Sequence, residues 1–549
     1  MRRVLDFLTI KQANRSQSLM IFGVISILYF INFQVNDIFT PNESFYAEAV
    51  REMFESGNFL DINYNYEPRY NKPPLTYWAI ALSSSIFGIN EFGIRLPIIL
   101  MALGSVWLVY LLGKQLYGER AGIYSMMIMA SSAQFIFVKQ YASPEVPLTF
   151  LFTLTMYLFI KGYKQQEFKF IFWSYVALGL AVLTKGFPYI IVITGIIGLF
   201  VLIETNFKIF EIWKKIRFLK LHIGVPIILL IGLSWVIYMY LKEGDSFWLV
   251  YKRETFDRAL SKANRGPQPF YYLTVIAWSI VPYSLAFYYA FIRNLKDWSR
   301  IREMSFAFSW LLTMLIIFTV SKGKLPTYMI QAHPALILIL VPMLLRFNPK
   351  SRLLKGLWSF SLFFPAALLI GVTSYAVFEL NLALGLYTVP LALLTLLVAG
   401  LKNKTPNLKV YIPFWSMMGF LIVFSAFLPK MEEFRPYDTI GNIIQQDERI
   451  IKETPIFLDG WLIHNIPFYA NRKAIRDVEI KAINDTKEQT LALVREENQA
   501  MLTGFETLWS GYIYDFSSES QFFKFALALN DATKGDLSKF HKFYLVFRP

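Results

Sequence analysis

The chain has 549 residues, of which 55% are hydrophobic and 17% charged, and a formal net charge of +15. A soluble chain carries about 25% charged residues, so this composition points to lipid as the solvent. The basic balance then reads as the positive bias of short cytoplasmic loops rather than a nucleic-acid footprint, and a chain without cysteine excludes disulfides and thiolate metal sites.

Apolar runs long enough to cross about 30 Å of hydrocarbon recur between Ser18 and Phe427, and backbone in lipid must satisfy its polar groups internally, so each run is expected to be a helix. About thirteen spans are expected, at 18–34, 92–112, 120–138, 145–160, 170–183, 188–203, 223–241, 270–292, 306–320, 327–345, 357–377, 387–401 and 411–427. Met-Arg-Arg ahead of the first run mimics a signal peptide, but no small-residue cleavage site follows, and the run reads as a retained first span. Only Thr184, Lys185, Gly186 and Phe187 separate the fifth span from the sixth. Were those two one helix, every later loop would change sides.

Between the first two spans, 35–91 is expected to be a periplasmic loop with interfacial helices. Its residues Glu43, Glu48, Arg51, Glu52 and Glu55 alternate with Tyr46, Val50 and Met53 at helical spacing, which reads as an amphipathic helix lying at the interface, capped by Asn42 and ended by Gly57. Tyr64, Tyr66, Tyr70, Tyr77 and Trp78 place rings where headgroups sit. Further on, 242–269 forms a second loop on that face. Basic clusters at Arg2, Arg3, Lys11 and Arg15, at Lys208, Lys214, Lys215, Arg217 and Lys220, and at Arg293, Lys296, Arg300 and Arg302 mark the opposite face as cytoplasmic, together with the N-terminus.

The tail contains no spanning run and reads as a small α/β domain, with strands at 455–458 and 540–548 and helical spacing at 480–499 and 520–532. The expected organisation is a transmembrane domain over 1–428 and a soluble periplasmic domain over 429–549. With an odd number of spans the tail shares a face with the first loop.

Several cations sit on that face against the charge bias. Lys185 stands at a helix end, where it either snorkels to the interface or binds an anion. Lys322 and Lys324, in Ser321-Lys322-Gly323-Lys324-Leu325-Pro326-Thr327-Tyr328, add two ammonium groups beside a glycine, and Lys72, Arg258 and Arg265 add three more cations. A phosphate or pyrophosphate ligand explains them, since Arg forks and Lys point charges bind phosphate; attraction to anionic headgroups is the alternative. Among the acids, Glu43 and Glu145 are candidates for acid-base work, although each also suits the first turn of a helix. His222, His333, His464 and His541 form no ligand pattern, His333 reading as a satisfied intramembrane polar residue, and no P-loop or dinucleotide motif occurs.

The ordered motifs Pro41-Asn42-Glu43, Tyr46-Ala47-Glu48, Arg51-Glu52-Met53, Lys72-Pro73-Pro74-Leu75 with Tyr77-Trp78, residues 93–97, 181–186, 266–272 and 321–328 resemble the ArnT-like lipid A aminoarabinose transferases and the wider protein O-mannosyltransferase superfamily of C-type glycosyltransferases. The resemblance covers the first through tenth spans. It implies a C-type glycosyltransferase fold and a bacterial inner-membrane enzyme that moves a sugar from a polyprenyl (undecaprenyl) phosphate donor to lipid A or another periplasmic acceptor, with inversion at the anomeric carbon and no nucleotide sugar. By the resemblance Lys72, Arg265, Lys322, Lys324, Tyr328 and Lys185 hold the donor phosphate, Glu48, Arg51 and Arg258 lie on the acceptor side, and the first-loop acid works near the reacting atoms. This chain has Asn42 where the family usually has Asp, and an amide is no general base, so Glu43 or Glu145 substitutes or an anionic acceptor needs no base. Asn71 and Asn264 replace the Glu and His that share a metal in the family, so no metal or other cofactor is expected. The expected partners are the lipid-linked donor, the acceptor and membrane lipids, with the chain a monomer. A flippase of lipid-linked sugars and a protein O-glycosyltransferase are the competing readings, and a structural or regulatory membrane protein is a third class.

Overall fold

The computed structural model describes residues 13–38, 40–257, 268–346, 352–379, 388, 392, 408–460, 463–514 and 522–549. Among them six helices are long and apolar enough to cross a membrane: Glu91–Tyr117, Glu145–Gln165, Phe168–Lys185, Pro326–Arg346, Lys355–Phe378 and Val410–Phe434. A seventh is the pair Leu221–Gly232 and Ser234–Glu243, bent by 49°, and Arg15–Phe30, Pro188–Glu204 and Ser305–Val320 are shorter apolar helices at expected spans. Two more expected spans are broken in two, as Glu119–Ser131 with Ala133–Val138 and as Tyr271–Ser279 with Ser284–Leu295. The expected span 387–401 lies almost wholly outside the described residues. The fifth and sixth spans are separate helices, because Gly186 adopts φ +111°, which side chains resist, and Pro188 starts the next helix at its first turn, where its missing N–H costs nothing.

The first loop departs from expectation in two ways. Its helix is Pro41–Ser56, and the cap is Thr40, whose hydroxyl accepts from the Glu43 N–H (3.2 Å), rather than Asn42, which lies inside the helix and is exposed. Gly57, at φ +68°, ends it as expected. Nor does the helix lie on a lipid surface, since Glu43, Glu48, Arg51 and Glu52 are buried together with Tyr46, Val50 and Met53. Its charged face is covered by protein, which the alternation of residue types cannot reveal. The loop holds a second helix, the apolar Leu75–Phe87, whose 13 residues are short of the roughly 20 a span needs and which precedes Glu91–Tyr117.

After the hairpin of β1 (Asn63–Tyr64) and β2 (Glu67–Pro68), the remaining strands are β3 (Ile456–Leu458), β4 (Ala474–Ile475), β5 (Thr490–Arg495), β6 (Glu506–Ile513) and β7 (His541–Arg548). They form one mixed sheet in the order β4-β3-β5-β7-β6, parallel at β3–β4 and β3–β5 and antiparallel elsewhere. The helical reading of 480–499 is overturned. Only Ile480–Asp485 and the single turn Glu496–Gln499 are helical, and Thr490–Arg495 between them is the central strand. Five successive residues of β5 are buried, so it shows no alternation to distinguish it from a buried helix.

The sheet is bolted to the first loop. Asp37 receives two hydrogen bonds from the Arg435 guanidinium (2.9 and 3.0 Å) and one from Asn465 (3.2 Å), while Arg51 donates to Asn471 (2.5 Å) and Asn65 exchanges two hydrogen bonds with Ala474 at β4. One buried apolar cluster runs from Ile25 and Ile98 through Val50 to Leu491 and Leu545, so packing is continuous across residue 428. Asp61 pairs with Lys242, which ties the second loop to the first. The first loop, the start of the second and the tail therefore meet at one end of the helices.

Candidate active site

Glu145 opens the helix Glu145–Gln165, and Lys185 closes Phe168–Lys185; their side chains meet at 2.8 Å, both largely buried. Two oppositely charged helix ends packed side by side each find a partner where burial alone would penalise them. Lys185 Nζ also stands 5.2 Å from the centre of the Tyr328 ring. Tyr328 packs on Phe318 at 4.9 Å and Phe318 on Tyr272 at 6.2 Å, and Lys324 Nζ lies 5.9 Å from the Tyr272 ring. The loop carrying these groups is fixed to its neighbours by Gln331 Nε2, which donates to Thr149 Oγ1 (3.2 Å), and by Gln134 Nε2, which donates to the Pro326 carbonyl (3.0 Å).

Lys324 is committed locally. Its ammonium donates to the carbonyls of Thr319 (2.7 Å) and Ser321 (2.8 Å), closing the C-terminus of Ser305–Val320 where the helix dipole favours a cation. Lys322 is exposed and makes no ion pair among the described residues. Lys72 is half-buried, and its neighbour Tyr70 packs on Phe247, which stacks on Tyr251. The Tyr251 hydroxyl lies about 3.5 Å from where a Cβ on Gly186 would stand, so this aromatic chain links the Lys72 segment to the Lys185–Gly186 turn.

Glu43 belongs to a second buried pair. Its two carboxylate oxygens accept from Arg95 Nε (2.8 Å) and Nη2 (2.9 Å), and Oε1 also accepts from the Ala142 N–H (3.2 Å). Ala142 is three residues before Glu145, so the two candidate acids flank one short segment. Arg95 further donates to the carbonyls of Asn36 (2.6 Å) and Asp37 (2.7 Å). It is a residue that sequence reading missed, although an arginine inside an apolar span is a signal of function or structure. Lys139, also missed, is fully buried and donates to the Tyr29 carbonyl (3.1 Å) and to Gln140 (2.8 Å).

Glu48 and Arg51 are buried against each other at 2.7 and 2.8 Å, and Arg51 reaches Glu55 and Asn471. They sit at the junction with the tail. Glu52, beside them, has its carboxyl pushed up to about 8 by burial and by the neighbouring Glu48 charge. Arg258, Asn264 and Arg265 lie outside the described residues. His333 is fully buried, and neither ring nitrogen has a hydrogen-bond partner among the described residues, which differs from the satisfied polar residue expected.

A helical membrane bundle with charged and aromatic side chains gathered at one end, under a first loop clamped by a small mixed sheet, defines the class: a C-type glycosyltransferase fold. The sequence profile of the dolichyl-phosphate-mannose-protein mannosyltransferase family matches residues 71–238. A crystal structure of ArnT from Cupriavidus metallidurans, bound to undecaprenyl phosphate, superposes with a TM-score of 0.73 at 19% identity over 90% of this chain and 97% of that one. An uncharacterized protein of Aquifex aeolicus is 34% identical over 511 residues, 91% of this chain and 94% of its own length. An undecaprenyl phosphate-alpha-4-amino-4-deoxy-L-arabinose arabinosyl transferase of Proteus mirabilis is 25% identical over 344 residues, and one of Pseudomonas fluorescens 28% over 325. The aligned region spans 60% and 57% of the length of these two named relatives. The chain belongs to the ArnT-like family of glycosyltransferases.

Proposed function

We propose that the protein takes a sugar from a polyprenyl phosphate, such as undecaprenyl phosphate, and transfers it to lipid A or a related acceptor at the periplasmic face of a bacterial inner membrane. The observation that carries this reading is the buried Glu145–Lys185 pair beside Tyr328, with the buried Tyr251 and Tyr272 packed close by. A phosphorylated sugar brings the anionic oxygens that cations and tyrosines gathered in this way bind. Names borne by the relatives support the same donor.

In this reading an anionic phosphate oxygen of the acceptor attacks the anomeric carbon in line as the bond to the polyprenyl phosphate oxygen breaks, inverting the centre, and no proton has to be removed. Lys72, Lys322 and Arg265 neutralise the departing phosphate. Lys324 and Lys185 hold the Ser321–Tyr328 loop and the helix ends in place. Glu43, with both oxygens taken by Arg95, is poorly disposed to accept a proton and acts by fixing the 142–145 segment. Alignment and stabilisation of the leaving group then carry the reaction. The amides at positions 71 and 264 are weak metal ligands, and the reading assigns no metal. The N-terminus is cytoplasmic and the tail periplasmic.

The test is a transfer assay with purified protein, undecaprenyl-phosphate-linked sugar and lipid A. Lys72→Ala and Arg265→Ala are expected to abolish transfer with wild-type thermal melting. Full activity in both overturns the assignment. Lipid A mass spectra from cells with and without the gene identify sugar and acceptor, and an unchanged spectrum redirects the acceptor to protein or another glycan.

A further inference from the structure

At the other end of the helices that carry Lys185 lies a feature the transfer reaction does not use. The helix Ile209–Leu219 turns Ile212, Ile216 and Leu219 toward a cavity of about 350 Å³ whose walls include Phe159, Leu178 and Val201. The hydroxyls on those walls are spent on their own helices: Thr155 donates to Leu151, Ser174 to Ile171 and Thr194 to Ile190. Nothing there holds water, so the natural occupant is apolar. Thr194, Gly198, Leu221 and Val225 on its rim are exposed, which opens it sideways toward lipid.

The outer face of the same helix has the opposite chemistry. A second cavity of about 530 Å³ runs along it, lined by Phe210, Trp213, Lys214, Lys215 and Arg217 with Glu211 and Gln166. Lys214 and Arg217 are exposed and make no ion pair among the described residues. Lys215 rests on the Tyr163 ring at 4.5 Å and Lys220 on Phe168 at 4.4 Å, while of the other acids nearby Glu204 accepts from the Tyr163 hydroxyl and Glu167 pairs with Lys169. Ile209, Phe210 and Trp213 are 83%, 80% and 67% exposed. Cations interleaved with bare apolar side chains on a short helix are the pattern of an element seated at the headgroup level.

We propose that this is a binding site for an anionic diacyl phospholipid, its phosphate held by Lys214 and Arg217 and one acyl chain in the Ile212–Leu219 cavity. Charge complementarity selects the occupant, because a zwitterionic lipid fills the cavity equally well but leaves the cations uncompensated. Lys220 rests on Phe168 at the far end of the 18-residue Phe168–Lys185 helix, which is about 27 Å long, so the phosphate end of the site is separate from the proposed donor site, and the cavity wall at Leu178 stops about 10 Å of helix short of Lys185.

Native mass spectrometry of the purified full chain with phosphatidylglycerol or phosphatidylcholine of identical acyl chains tests it. Phosphatidylglycerol is expected to be retained roughly tenfold better or more, as two surface cations near a phosphate imply. The double substitution Lys214→Gln with Arg217→Gln removes that preference. Gly198→Leu, on the rim where an added Cβ meets nothing within 4 Å, narrows the lipid-side mouth of the cavity and is expected to lower retention of both lipids. Both variants keep wild-type melting in lipid-free detergent. Equal retention of the two lipids by the wild type, unchanged retention of phosphatidylglycerol by either variant, or displacement of phosphatidylglycerol by undecaprenyl phosphate overturns the proposal.

Discussion

At the residue scale the site rests on paired buried charges, and each member is held in place by the other. Substituting Lys185→Met leaves the Glu145 carboxylate buried and uncompensated, a change that costs about 3–5 kcal/mol. The double variant Glu145→Gln with Lys185→Met, which removes both charges, is expected to recover most of that loss in a detergent thermal melt. Arg95 and Glu43 form the parallel case, with the difference that Arg95 also ties down the carbonyls of Asn36 and Asp37. Glu43→Gln therefore tests two roles at once. If Glu43 positions the chain, stability and transfer fall together and Arg95→Met reproduces both losses. A loss of transfer with unchanged melting would instead mark Glu43 as the base.

Elements decide which of these charges face one another. The Gly186 break turns one apolar stretch into two helices and leaves Lys185 at a terminus beside Glu145. In the helix Pro41–Ser56, burial of the charged face raises the carboxyl of Glu52 to about 8. Its unfolded value lies near 4.3, so between these two values the folded state holds a proton that the unfolded state has released. Stability contributed by this group is present at low pH and declines as pH rises through that window. The melting temperature is expected to fall between pH 5 and pH 8, and Glu52→Gln, which keeps the acceptor for the Tyr66 N–H, is expected to flatten that dependence and raise the melting point at pH 8.

Over the whole molecule, the clamp between first loop and sheet determines whether the bundle end is closed. Asp37, Arg435 and Asn465 form its centre, all buried. Arg435→Met strands the Asp37 carboxylate, and the expected outcome is faster limited proteolysis around 428–436 with the helical bundle left intact by circular dichroism. Unchanged cleavage would show that the apolar cluster shared across residue 428 holds the tail without the ion pair.

The sequence by itself determined the solvent and the class. Apolar runs placed helices at 92–112, 145–160 and 411–427, because lipid leaves the backbone no alternative, and the ordered motifs around Glu43, Lys72 and Lys324 carried the family. It also marked Lys185 and Glu145 as residues to watch, each at a helix end. What only the tertiary structure decided was who meets whom. The pairing of Glu145 with Lys185, the hold of Arg95 on Glu43 and the burial of Glu48 with Arg51 join residues between 3 and 52 positions apart. The strand at Thr490–Arg495 escaped for a related reason, since a segment buried on both faces has no period to read. Local pattern records how a segment meets its solvent. Where the neighbour is another part of the chain, only the fold supplies it.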